Sequence, residues 1–273
     1  MAKSPILKSN KNKLKLKLGE NPKCSNKEYH ADTEWLNSSR LKALYRGWNN
    51  YKENYLSAPK VKSKSAQDNL DFGTLLHSLL LEPENTLNDF AIYDGKVRIG
   101  KRFEKFKSEN IHKIIVTRRV FQRAKKIINR FKRRKTYKKL FQKGKAEVTA
   151  CACIDGVKVK ARYDWLDVSR GRIIDLKSSR RDREDVIFFY DKDIPRWSYH
   201  LSAALYIQIA EIIYKRPFEF IILGLSKKKS GQHFTVIYSR NLSFGNKKQL
   251  TEGDRQISIA LTNYKRHFSK SAA

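Results

Sequence analysis

Cysteine is scarce in this chain. Its 273 residues include three, Cys24, Cys151 and Cys153. The number is odd and no Cys-x-x-Cys pair occurs, so neither a disulfide framework nor a cysteine zinc site is indicated. Cys151 and Cys153 stand two apart in an apolar stretch and read as buried thiols. A reducing compartment follows, the cytoplasm of a bacterium or of a virus-infected host cell. Long apolar runs are missing too: none approaches the ~20 residues that a membrane span needs. The N-terminus, Lys3 to Lys17, alternates lysine with small or aliphatic residues and lacks the apolar core of a secretory signal. The third shortage is of acid. Asp and Glu number 27 against 59 Lys and Arg, a formal net charge of +32. The natural partner of such a chain is a polyanion, with nucleic acid first and an anionic membrane surface second. The membrane is the weaker reading, because no amphipathic helix has a bulky apolar face free of the core pattern.

What is present supports a real core, with 40% hydrophobic and 11% aromatic residues. Residues 1–27 read as a basic arm, disordered until it meets DNA. Asn37 or Ser38 is the candidate N-cap of a helix over Arg40–Tyr45. Lys52 to Asp68 reads as a mobile connection. Asp71 to Leu81 follows as an apolar helix stopped by Pro83, in which Gly73 allows another backbone to approach. His77 lies in that helix, at a position more usual for a satisfied core histidine than for a ligand. Asp89 to Asn110 reads as irregular. Ile114 to Phe141 reads as one long or broken amphipathic helix whose basic face, including Arg118 and Arg119, is either solvated or lines a phosphate-binding surface.

Strands are expected at Lys145–Cys153, with Glu147 near its start, at Val157–Asp164 after an Asp155-Gly156 turn, and at Gly171–Ser178. Arg180 to Pro195, with Phe188-Phe189-Tyr190, reads as a loop. Trp197–Tyr214 is a core helix, Phe218–Leu225 and Gln232–Tyr238 are strands, and Gln249–His267 is a closing helix before a tail at 269–273. There is no internal repeat. The order argues for one α/β domain over 28–268, with a mixed sheet flanked by helices.

One stretch carries the chemistry. Ser169-Arg170-Gly171-Arg172 reads as the turn of a hairpin that returns Asp175 beside Asp164. Side chains at i and i+2 of a strand share a face, so Asp175 and Lys177 project together. Two carboxylates and an ammonium at one end of a sheet suit a hard divalent cation and an oriented water. They equally suit two exposed acids and a lysine on a sheet edge.

This order, with an acid at the end of the second strand and Asp-x-Lys on the third, resembles the PD-(D/E)xK nuclease superfamily. More narrowly it resembles the exodeoxyribonuclease VIII (RecE-type) family of double-strand DNA exonucleases. The resemblance rests on 72–83 (Phe-Gly-Thr-Leu-Leu-His-Ser-Leu-Leu-Leu-Glu-Pro), Arg162-Tyr163-Asp164, Asp175-Leu176-Lys177-Ser178, and Tyr199-His200 with Tyr206, over roughly residues 28 to 226. It implies a restriction-endonuclease-like core. It implies His77, Asp164, Asp175 and the Leu176 carbonyl as ligands of Mg²⁺, with Mn²⁺ as a substitute. Lys177 would position the attacking water, and Glu147 would be a further acid of the site. Ser38, Ser39, Tyr199, His200, Ser202 and Tyr206 are expected to contact substrate, together with Arg118 and Arg119 of the basic face. The chain departs from the family at Tyr163, where the superfamily motif often has proline, and at Ser202, where the family helix has glutamine. Iron–sulfur relatives use four cysteines, too many for this chain. The implied activity is metal-dependent hydrolysis of linear double-stranded DNA in recombination or repair, in a homo-oligomer partnered by a single-strand annealing protein. An endonuclease or other structure-specific nuclease of the same fold, or a non-catalytic DNA-binding relative, is the alternative.

Overall fold

The computed structural model describes residues 15–58, 63–228, 232–241 and 246–268; most of the lysine-rich start and the tail lie outside the described residues. The elements run β1 (Gly19–Glu20), α1 (Asn26–Ala31), α2 (Ser38–Tyr45), α3 (Trp48–Tyr51), a π-helical turn at Lys52–Leu56, α4 (Lys64–Leu81) and α5 (Thr86–Asp89). Next come β2 (Phe90–Tyr93), α6 (Lys101–Glu109), β3 (Ile114–Thr117), α7 (Arg118–Lys132), α8 (Lys135–Leu140), β4 (Lys145–Ile154), β5 (Val157–Asp167) and β6 (Arg172–Ser179). The chain continues through α9 (Val186–Phe188), a second π-helical turn at Phe189–Asp193, α10 (Ile194–Trp197), α11 (Tyr199–Tyr214), β7 (Glu219–Ser226), β8 (His233–Tyr238) and α12 (Asn246–Phe268).

Six strands form one mixed sheet in the order β1-β4-β5-β6-β7-β8. Asp155 and Gly156 both have positive φ (48° and 78°), as a two-residue hairpin turn requires, and join β4 to β5. β6 and β7 are parallel, so the chain must cross over between them, and α11 makes most of that crossing. Each face of the sheet buries a separate core. Leu201, Leu205, Ile257 and Leu261 of α11 and α12, with Leu41 and Leu44 of α2, cover one face. Leu75, Leu76, Leu79, Ile127 and Phe131 of α4 and α7 cover the other, where Ile174 and Leu176 of β6 meet them.

Several elements differ from the sequence reading. Residues 15–27 do not stand apart as an arm: β1 pairs with β4, and Leu16 and Cys24 are buried with Tyr29, Trp35 and Cys151. Cys153 is exposed, unlike Cys151, because it lies beyond the cover that β1 gives and next to the hairpin turn. α4 begins at Lys64 rather than Asp71, capped by Ser63, whose hydroxyl accepts the Ala66 N–H. The stretch read as irregular holds β2 and α6. Ile114–Thr117, read as the start of a helix, is a strand paired in parallel with β2, and Thr117 then caps α7. The 180–195 loop contains α9, the second π-helical turn and the start of α10.

Candidate active site

The register of β4 on β5, with Ala146 opposite Trp165 and Val148 opposite Tyr163, sets Glu147 across from Asp164. Glu147 has φ 54°, left-handed backbone that a long side chain rarely adopts. The strand's alternation breaks there: Ala146 packs toward the α4 core and Val148 into the α11 core. β5 and β6 pair from Asp167–Arg172 to Trp165–Ile174 and then part. Continued, the same register would put Asp164 against Asp175. Instead the Asp164 carboxylate accepts the Leu176 N–H at 2.6 Å. A side chain thus satisfies a backbone donor that the ladder has left.

α4 lies over the parting. Its Gly73 faces β6 closely: a Cβ there would stand 3.2 Å from Ser178 Oγ, a tight contact. One turn further on, His77 Nδ1 lies 3.5 Å from Asp164 Oδ2, and the ring also bonds the Leu176 backbone. One ligand atom each from His77, Glu147 and Asp164 fall within 4.8 Å of one another. Asp175 is engaged differently: its Oδ2 meets Lys177 Nζ at 2.5 Å. All five side chains line one cleft of about 420 Å³.

Burial, then the Asp175 charge, pushes the Asp164 carboxyl above the usual carboxylate range. Glu147 is raised too, by burial and then by Asp164, against the opposing pull of Arg162. Burial by itself would lower the Lys177 ammonium, but Asp175 and Asp164 hold it above an ordinary lysine. Burial and the Lys177 charge lower His77, favouring a neutral imidazole. Two carboxylates and a neutral imidazole, gathered where burial and mutual repulsion favour protonation, fit a divalent cation that would displace those protons.

The expected substrate contacts scatter. Tyr199, Ser202 and Tyr206 share one face of α11 by their spacing, and Tyr206 lines the cleft and is hydrogen-bonded to Ser38. Ser39 bonds Tyr55. His200 is buried against α12, beside Gly253 and Gln256. Arg118 is exposed and paired with Asp94, while Arg119 lines a separate cleft of about 670 Å³ with Arg123 and Lys96. Two residues of the site had no role assigned from the sequence, Arg162 although it belongs to the Arg-Tyr-Asp motif. Arg162 donates to Glu147 at 2.6 Å and to the Cys24 carbonyl at 2.9 Å. Lys42 of α2 stands 5.4 Å over the Tyr199 ring, to which Lys177 approaches at 5.5 Å. Arg162 was legible as the cross-strand neighbour of Thr149, beside Glu147; a lone lysine on α2 carried no signal.

Residues 38–265 match the family described as "PDDEXK-like domain of unknown function (DUF3799)". The chain belongs to this family. The match spans α2 through most of α12 and takes in His77, Glu147, Asp164, Asp175 and Lys177, while Asn26, Tyr29 and His30 of the cleft wall precede it. No curated protein matches the chain. Among solved structures, a candidate exonuclease from Eubacterium rectale superposes with a TM-score of 0.58 at 18% identity, covering 90% of this chain and 86% of that one. A phage-related exonuclease from Haemophilus somnus 129PT gives 0.35 at 13% identity, covering 89% and 98%. The first likeness shows the shared fold. The PD-(D/E)xK resemblance read from Asp164, Asp175 and Lys177 and the family match agree.

Proposed function

We propose that this PDDEXK-like domain is a divalent-metal-dependent deoxyribonuclease that digests linear double-stranded DNA from its ends, in recombination or repair. The observation that carries the reading is the convergence of His77, Glu147 and Asp164 with the Asp175–Lys177 pair in one cleft. The net charge of +32 supports a polyanionic substrate. The preference for ends rests on the sequence resemblance, and the E. rectale protein is named as an exonuclease.

His77, Glu147 and Asp164 would hold Mg²⁺, or Mn²⁺ in its place, with Asp175 in the same cleft and the Leu176 carbonyl as the further ligand that the resemblance implies. A bound ion of this kind polarises a phosphoryl oxygen and acidifies a bound water. Lys177 keeps its proton beside Asp175, so it serves as a hydrogen-bond donor to the attacking water or to a phosphate oxygen, not as a base. Arg162 steadies Glu147 from behind. Ser38 orients the Tyr206 phenol on the cleft wall, and Tyr199, carrying two lysines, flanks the path of the phosphate.

The decisive experiment incubates the protein with linear and closed-circular duplex DNA, with Mg²⁺ or with chelator. Loss of the linear form alone, and only with metal, is the expected result. Cutting of the circle would move the protein to an endonuclease, and binding without cleavage to a non-catalytic relative. The homo-oligomer and the annealing-protein partner belong to the same reading. Light scattering tests the first, and co-purification with a single-strand annealing protein the second.

A further inference from the structure

A second cleft adjoins the first at Lys177 and Ser178, which line both. It is larger, about 960 Å³, and its walls are cationic: Arg180, Arg181 and Arg196 come from the connection between β6 and α11, and Lys227 and Lys228 follow β7. The one acid among its lining residues, Asp193, is paired with Arg181 at 3.3 Å. Such a surface draws a chain of phosphates.

Aromatic rings accompany the cations. The Arg181 guanidinium lies 3.9 Å from the centre of the Phe188 ring, and that of Arg196 lies 5.1 Å from the Trp197 ring. Trp197 is 51% exposed and Phe188 46%, unusual for rings of this size beside a well-filled core. Backbone geometry sets the first of these. Ser198 has φ 48° and ψ 48°, a left-handed elbow between α10 and α11 that a non-glycine adopts only at a cost. The elbow sends the chain inward at Ser198 and His200, both buried, and leaves Trp197 at the cleft.

Phosphates alone have no use for exposed rings. In a duplex each base face is already covered by its neighbours, whereas an unpaired base offers its face to an indole or a flat guanidinium. We infer that the second cleft binds unpaired DNA, a base stacked on Trp197 while its phosphates follow Arg180, Arg181, Arg196, Lys227 and Lys228. The strand so held runs toward Lys177, and the nucleotides next to the scissile bond are single-stranded. The direction of that strand rests on the nuclease reading; the binding does not.

The test uses the full chain in chelator, so that cleavage does not enter, with a fluorescent oligothymidylate of about 20 nucleotides and a blunt duplex of about equal length. Trp197→Ala weakens binding of the single strand about tenfold, leaves the duplex within about twofold, and Trp197→Phe restores most of the loss. Arg196→Ala provides a second reading if the first variant does not fold: the single strand again loses more, and its salt dependence becomes shallower by about one ion. Unchanged single-strand affinity in both variants overturns the inference. Equal loss on both nucleic acids overturns it too, as does a change of oligomeric state at unchanged affinity, which would assign the ring to a contact between copies. A wild type that prefers the single strand through Trp197, yet cleaves no DNA when Mg²⁺ or Mn²⁺ replaces the chelator, would defeat the nuclease reading and leave this one standing.

Discussion

Lys177 Nζ lies 2.5 Å from Asp175 Oδ2, two residues back on the same strand, where the pleat puts both side chains on one face. The carboxylate keeps the ammonium charged, and the ammonium stands beside His77 and Asp164 of the proposed metal site. Replacing Lys177 with Met should therefore reduce cleavage of linear duplex by about 10²- to 10³-fold, the loss typical of one transition-state donor. Mn²⁺ affinity, read by calorimetry, should stay level or rise, because a neighbouring positive charge is gone. A fall in Mn²⁺ affinity together with full cleavage would sink the role given to Lys177.

If Asp164 holds the metal as proposed, proton and metal compete there. Its folded carboxyl is raised by burial and by Asp175, while in the unfolded chain it titrates near 3.9. Folding without metal therefore takes up a proton between those two values. The corresponding stabilisation is complete in acid below the unfolded value and is lost as pH rises through the raised one. Metal binding requires the deprotonated form, so the rise in Tm produced by Mn²⁺ should be larger at pH 8 than at pH 5.5. In Asp164→Asn that pH dependence should flatten. An equal shift at both pH values in the wild type would refute it.

Lys42 titrates close to neutrality. Burial and then the Lys177 charge pull it down to about 7, with Asp175 opposing. An unfolded lysine keeps its proton to about 10.4, so this residue costs stability in full below pH 7, and the cost fades as pH rises toward 10. Lys42→Met should be more stable than wild type by about 1–2 kcal/mol at pH 6, after allowance for solvent screening, with a narrower gap at pH 9. The affinity of the wild type for DNA should fall as pH rises over the same range, and that of Lys42→Met should change less. Urea denaturation at the two pH values, with a filter-binding assay beside it, decides both halves.

Lys160 is wholly buried and holds the segment before α2 in place. Its ammonium donates to the Tyr29 carbonyl at 2.6 Å and to the Asp32 carboxylate at 2.9 Å. Lys160→Met removes the cation from Asp32, which keeps only the Trp35 N–H, and should cost about 3–5 kcal/mol. For a domain of this size that lowers Tm by roughly 10 °C. Calorimetry showing less than about 1 kcal/mol would mean that the segment is held by its apolar contacts alone.

Much of this was legible in the sequence where one period dominates. The β4–β5 hairpin announced itself by alternation and Asp155-Gly156, and α4 by its run of leucines. The extension of α4 back to Lys64 was hidden because Lys64 to Leu70 is mostly polar and exposed, so no apolar stripe marks it. β2 and β3 were hidden by brevity, four residues each in a ribbon apart from the main sheet. Asp164, Asp175 and Lys177 could be read as a group because strand spacing fixes them locally. The approach of Glu147 could not, since a left-handed residue inside a strand breaks the rule by which strands are read. Lys42 reaches Tyr199 only through the packing of two distant helices.

The hydrogen bond from Leu176 N–H to Asp164 has a further consequence. The carboxylate that would ligate metal also closes the seam where two strands separate. Chemistry and architecture share one side chain, and Asp164 cannot be exchanged for alanine without opening backbone to the interior. An inactive form suited to trapping substrate should therefore be made at Lys177, whose loss leaves that seam shut.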